Sequence, residues 1–96
     1  MEEIRTLYYE RFIQHVVEVY APKLKQVRPG HCMKITGLAL KELRVLLPLL
    51  RPINENLSVF ILSEEEKGDE YIHATKLIEL RNDPSKAVLI LVPTNS

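Results

Sequence analysis

The chain has 96 residues, of which 13 are basic and 13 acidic, so its formal net charge is zero. This length provides one domain with a core of its own, and a neutral chain has no general attraction to nucleic acid or anionic lipid. The longest apolar runs, VLLPLL and AVLILV, are too short to cross a bilayer, and the acidic start lacks the apolar region of a signal peptide, so we expect no membrane contact.

The first segment, residues 2 to 20, has the periodicity of an α-helix with two apolar stripes. The first stripe contains Ile4, Tyr8, Phe12, Val16 and Val19, and the second contains Ile13, Val17, Tyr20, Leu24 and Val27. Two adjoining stripes are wider than one contact needs, so we expect the helix to be covered from two directions. Pro22 lacks a backbone donor, so we expect it to kink or interrupt the helix, with one further turn to about residue 26.

The second segment, HCMKITG at residues 31 to 37, is a predicted strand with Met33 and Ile35 directed inward. Its residue Cys32 is the only cysteine and cannot form an internal disulfide, which favours a reducing, cytoplasmic location. The next segment, LALKELRVLL, is a predicted helix because leucines recur at helical spacing, at Leu40, Leu43, Leu46, Leu47 and Leu50. Pro48 lies inside this pattern, and we expect it to end the helix early or bend it.

The second half of the chain continues the alternation of strands and helices. LSVFILS, residues 57 to 63, has the β-branched and aromatic content of a buried strand. A charged loop follows, and EYIHA then indicates a short extended piece. Thr75 is the predicted N-cap of a helix over KLIELRND, which Pro84 ends, and AVLILV is the last strand.

Strands separated by helices predict parallel pairing, and continuous apolar strands predict a sheet that is covered on both faces. We therefore predict a small three-layer, Rossmann-like α/β unit with about three helices and three mostly parallel strands, or four if EYIHA forms a short strand. Such a narrow sheet has two edges and few helices to cover them. Because the chain also stops directly after a buried strand, we expect residues 1–96 to be a single α/β domain at the N-terminus of a longer chain.

The acidic loop, which we define as residues 64–70, follows the second predicted strand. Its acidic members are Glu64, Glu65, Glu66, Asp69 and Glu70. Open α/β sheets bind ligands at the carboxyl ends of their strands, and carboxylates there can hold Mg²⁺ for phosphoryl transfer. A small metal-dependent enzyme is therefore one hypothesis. A glutamate run with a Lys-Gly turn is more often a solvated loop, which is the interpretation we prefer, so we predict no metal ion.

The basic segment, residues 23–34, contains four cations and no acid: Lys23, Lys25, Arg28 and Lys34. Together with His31 it could contact a phosphate backbone, so a DNA-contacting module is a second hypothesis. The segment has no aromatic residue on which a single-stranded base would stack. The three glycines of the chain form neither a Walker A loop nor a dinucleotide fingerprint, and no Cys–His spacing fits zinc. We predict no catalytic residue and no cofactor.

The segments HCMKITGLAL, ATKLIELRND and AVLILVPTNS together resemble the N-terminal region of DptH-type proteins. These are ATP-binding, helicase-like components of bacterial phosphorothioate-dependent DNA restriction systems. The resemblance implies an ATPase core downstream of Ser96, none of whose nucleotide-binding residues can be placed here, and a phage-defence context with partner subunits. We therefore predict a non-catalytic interaction module that docks on the rest of its chain, on partner restriction subunits or on a second copy of itself.

Overall fold

The computed structural model describes the backbone of residues 2–94 and the side chains of residues 10–94. The elements are α1 (Glu2–Lys25), β1 (Cys32–Leu38), α2 (Leu40–Leu50), β2 (Leu57–Leu62), β3 (Tyr71–Ile72), α3 (Ala74–Arg81) and β4 (Ala87–Pro93), with a 3₁₀ turn at Arg51–Ile53 after α2. The strands form one sheet in the order β1-β4-β2-β3, and all three strand pairs are parallel. The predicted α/β class, the parallel pairing and the short fourth strand are confirmed.

The last strand of the chain, β4, lies in the middle of the sheet, and every residue from Ala87 to Leu91 is buried. Its side chains alternate between the two faces. Leu89 and Leu91 pack in the core that α1 and α2 cover. Val88 and Ile90 pack on the opposite face, against the partly buried leucines of α3. The sheet is therefore the middle of three layers, as the unbroken apolar pattern of this segment predicts.

The edge strand β1 is much less covered than β4. Ile35 is buried and Met33 packs partly against the core under α1 and α2, so the predicted inward pair is confirmed. Cys32, Lys34 and Thr36 alternate with that pair and are exposed. They are exposed because the apolar cluster beneath α3 contains residues of β2, β3 and β4 but none of β1.

Neither proline ends its helix. α1 continues through Pro22 to Lys25 and α2 continues through Pro48 to Leu50, so the predicted interruption at the first proline and the early end at the second are wrong. A helix-interior proline costs about 3 kcal/mol. Leu24 and Leu50 lie in the turn after each proline and are fully buried, which contributes about 1.5–3 kcal/mol each and offsets that cost.

Both apolar stripes of α1 contribute residues to the core, but their described residues are covered unequally. Ile13, Val16 and Leu24 are buried in the core, whereas Val19 is 46% exposed. Ile4 and Tyr8, also assigned to a stripe, lie outside the residues whose side chains are described. The buried residues of both stripes belong to one core cluster with residues of α2 and of the sheet, and the cover from two directions stays a prediction.

Candidate functional site

The acidic loop begins with a carboxylate that caps α3. The backbone N–H of Ala74 donates to Glu64 Oε1 at 2.9 Å, and Glu64 Oε2 lies 3.1 Å from His73 Nδ1. The Ala74 amide, and after it His73, hold the pKa of the Glu64 carboxyl below its ordinary value. The helix begins at Ala74 after His73 as N-cap, so the predicted N-cap role of Thr75 is wrong. The acceptor comes instead from a loop residue ten positions earlier.

Glu66 connects the same loop to α2. Its Oε1 lies 3.2 Å from Arg44 Nη2, and Arg44 Nε donates to the Tyr71 hydroxyl at 2.7 Å. This hydrogen bond is the main reason why the pKa of the Arg44 guanidinium is raised. Ser63 Oγ accepts hydrogen bonds from the amides of Glu65 and Glu66 at 3.3 and 3.1 Å, which fixes the start of the loop. The loop is therefore attached to both α2 and α3.

The carboxylates of the acidic loop do not converge on one point. Within residues 10–94, no three His, Cys, Asp or Glu side chains are placed to hold a metal ion together. A cleft of about 480 Å³ does lie at the carboxyl ends of β2 and β4, lined by residues 62–66, residues 92–94 and Leu40. Glu64 and Glu66 are engaged in the contacts described above, so the geometry favours a structural role for this loop over a metal site.

All four cations of the basic segment are exposed, namely Lys23, Lys25, Arg28 and Lys34. Lys23 and Arg28 line a shared depression of about 370 Å³, together with His31 and the apolar side chains of Val27 and Met33. Lys25 and Lys34 do not line it. The structure therefore brings together two of the four predicted cations and His31, which the sequence had grouped with them.

Among the described side chains, no carboxylate forms an ion pair with a cation of the basic segment. No acidic residue occurs between Glu18 and Glu42. In the part of the chain with described side chains, the ion pairs join Arg44 to Glu66, His73 to Glu64 and Lys76 to Glu79, and none includes Lys23, Lys25, Arg28 or Lys34. Lys23 instead lies over the ring of Tyr20, with its Nζ 5.7 Å from the ring centroid. The segment keeps its positive charge available to a ligand.

A second surface feature, the helix groove, lies between α1 and α2. We define it by the four apolar residues Ile13, Val17, Val45 and Leu49 and by its polar neighbours Glu10 and Gln14, and it has a volume of about 340 Å³. Val45 and Leu49 are 43% and 46% exposed. Both residues belong to α2, where they lie beside the stripe of buried leucines. Because residues four apart lie on the same face of a helix, the spacing of Val45 and Leu49 is the signal from which this surface could have been predicted.

Comparison of the chain with protein-family models, with curated protein sequences and with solved structures found no match. The resemblance to DptH-type proteins therefore stays a prediction. None of the helices in the described part of the chain is long and apolar enough to span a membrane.

Proposed function

We propose that this domain is a non-catalytic interaction module that docks through the helix groove. The observation that carries the proposal is the groove itself, in which the apolar side chains of Ile13 and Val17 from α1 and of Val45 and Leu49 from α2 line one open depression. An apolar centre with polar neighbours, here Glu10 and Gln14, has the composition of a protein interface.

Covering the groove would stabilise a complex. Full burial of a valine or leucine side chain is worth about 1.5–3 kcal/mol. Val45 and Leu49 are nearly half exposed, so each retains on the order of 1 kcal/mol of unused burial. A groove between two helices also accepts the apolar face of a further helix, which is a recurring mode of protein recognition.

For the isolated domain, the occupant that we propose is a second copy. The formal net charge of zero means that no overall repulsion opposes the approach of two copies. Val19, which is also nearly half exposed on α1, adds apolar surface to the same helix. In the parent protein, the rest of the chain or a partner subunit would take the place of the second copy.

The cellular context that we propose is a larger bacterial DNA-restriction ATPase of phage defence, located in the cytoplasm. Its support comes from the three segments HCMKITGLAL, ATKLIELRND and AVLILVPTNS alone. Sequencing the gene beyond the codon for Ser96 tests it. An ATPase motif in the same reading frame supports the context, and a stop codon removes it.

Sedimentation velocity of the isolated domain at increasing concentration tests the docking proposal. We expect a dimer that dissociates on dilution, and we expect Val45→Lys with Leu49→Lys to give a monomer at every concentration. The matched control is Ile78→Lys, because Ile78 is 59% exposed on α3, outside the groove, and it should leave the dimer intact. A wild-type domain that is monomeric throughout, or a dimer that the groove variant does not weaken, would overturn the proposal.

A further inference from the structure

The outer side of β1, at the edge of the sheet, has a row of backbone amide and carbonyl groups that no neighbouring strand pairs with in the described chain. The amide of Val88 donates to the carbonyl oxygen of His31 at 3.1 Å, so this carbonyl faces β4. Successive residues of a strand direct their amide and carbonyl groups to opposite sides. The groups of Met33 and Ile35 therefore face β4, and those of Cys32 and Lys34 face away from it. Since β1 is the terminal strand of the sheet in the described chain, no strand there pairs with these outward groups.

The side chains next to these unpaired backbone groups of β1 are also exposed to solvent. Cys32, Lys34 and Thr36 are exposed, because α3 does not cover β1. Proteins protect such edges with lysines and with bulges, and β1 has both, since Lys34 lies in mid-strand and the register shifts between Ile35 and Leu38. A lysine here repels a second copy of the same edge strand. It attracts a strand that carries carboxylates.

The positive charge extends beyond Lys34. The depression that contains Lys23, Arg28 and His31 also includes Cys32, so it lies at the amino end of β1. An incoming acidic strand would meet cations both at this end and in the middle of β1. Val27 and Met33 provide apolar contact in the same depression, which suits the side chains of a peptide.

We propose that β1 binds an extended acidic segment of a partner protein, which adds to the sheet as a further strand. Its backbone would pair with Cys32 and Lys34, and its carboxylates would contact Lys34, Arg28 and Lys23. This mode of recognition takes affinity from main-chain hydrogen bonds and specificity from side chains at alternate positions. The outward amides favour a peptide over a nucleic acid, because a phosphodiester backbone cannot form the ladder of a sheet.

This site is separate from the helix groove, and it goes beyond the proposed function because neither surface depends on the other. The Val45→Lys, Leu49→Lys groove variant should bind an acidic peptide as the wild type does. Loss of dimerisation with retained peptide binding, or the reverse, therefore identifies which of the two proposals has failed.

Amide hydrogen exchange measured by NMR, with and without a short capped peptide of alternating glutamate and valine, tests the site. We expect the peptide to slow exchange at Cys32 and Lys34 by about tenfold or more. The control peptide, with lysine in place of glutamate, should leave the exchange unchanged. Equal effects of the two peptides, or binding without slower exchange at these two amides, would overturn the proposal.

Charge reversal provides the second arm. Arg28→Glu with Lys34→Glu should abolish binding of the acidic peptide, and Lys76→Glu on α3 should leave it intact. All three positions are exposed, and a dispersed amide spectrum verifies that each variant is folded. Duplex DNA is the competing ligand. The peptide proposal is wrong, and the basic segment is a phosphate contact, if the acidic peptide does not bind and duplex DNA does. In that case DNA binding should be lost in the Arg28→Glu, Lys34→Glu variant, and DNA should leave amide exchange at Cys32 and Lys34 unchanged.

Discussion

β4 and β1 are adjacent strands of seven residues each, yet their environments are opposite. Five consecutive residues of β4 are buried, whereas β1 buries Ile35 alone. The register places Lys34 of β1 directly beside Ile90 of β4, so an exposed cation and a fully buried isoleucine are neighbours. Propensity for extended structure forms both strands, but the position of α3 decides which of them acquires a second covered face.

The largest expected effect comes from the centre of the sheet. Ile90→Ala removes a side chain of zero exposure and leaves a cavity beneath α3, so it should lower the free energy of unfolding by about 2–5 kcal/mol. Urea denaturation measures this loss. The matched control is Lys34→Ala, at the β1 residue that pairs with Ile90. It should change the free energy of unfolding by less than about 0.5 kcal/mol. Equal losses at the two positions would mean that β1 is as well covered as β4.

An intermediate effect is expected at the irregular end of β1. Gly37 has φ +93°, and a Cβ built on it meets no atom within 4 Å. Gly37→Ala therefore acts through the backbone alone and should lower stability by about 1–2 kcal/mol. The adjacent exposed residue provides the comparison, since Thr36→Ala should cost less. A Gly37→Ala protein as stable as the wild type would show that the backbone at this end of β1 can change its conformation to accommodate an alanine without loss of stability.

The smallest effect is expected at the acidic loop. Glu64→Ala removes the acceptor for the Ala74 amide, so the variant should melt at a lower temperature than the wild type at pH 7. The folded state lowers the pKa of Glu64, so its charge stabilises the fold above the pKa of the unfolded chain. That contribution disappears as the pH falls through the lowered value. The difference in melting temperature should therefore narrow on acidification, and an unchanged difference at pH 3 would contradict this role for the carboxylate charge.

Most of the fold could be predicted from the sequence because it follows from local patterns. The apolar run from Ala87 to Leu91 required cover on both faces, and the leucine spacing of α2 specified its buried side. The order of the strands could not be read in this way. The central position of β4 depends on where α2 and α3 cross the sheet, which no local pattern records.

The errors in helix boundaries have the same origin. Pro22 and Pro48 break helices by their own propensity, but each is followed by a leucine, Leu24 or Leu50, whose burial depends on tertiary packing. Thr75 has the chemistry of an N-cap, yet the acceptor at the start of α3 is supplied by Glu64 across a loop. At each of these helix boundaries, a contact with a residue distant in the sequence outweighed the local propensity of the proline or threonine.

The candidate sites divide in a similar way. The sequence identified two charged clusters as candidate sites and preferred a solvated loop for the acidic one, and the structure shows how their contacts differ. Glu64 and Glu66 of the acidic loop bind α3 and α2, whereas Lys23 and Arg28 face an open depression without a carboxylate partner among the described side chains. A run of charge predicts a functional surface only where the fold leaves it unpaired.

Hydrogen exchange along β1 in the isolated domain tests most directly whether this side of the sheet is open. We predict that the amides of Cys32 and Lys34 exchange at rates close to those of an unfolded chain, while the amides of Met33 and Ile35, which face β4, stay protected together with Leu89 of β4. Protection of Cys32 and Lys34 to the same degree as Met33 and Ile35 would show that the edge is already covered and that β1 has no free row of backbone groups.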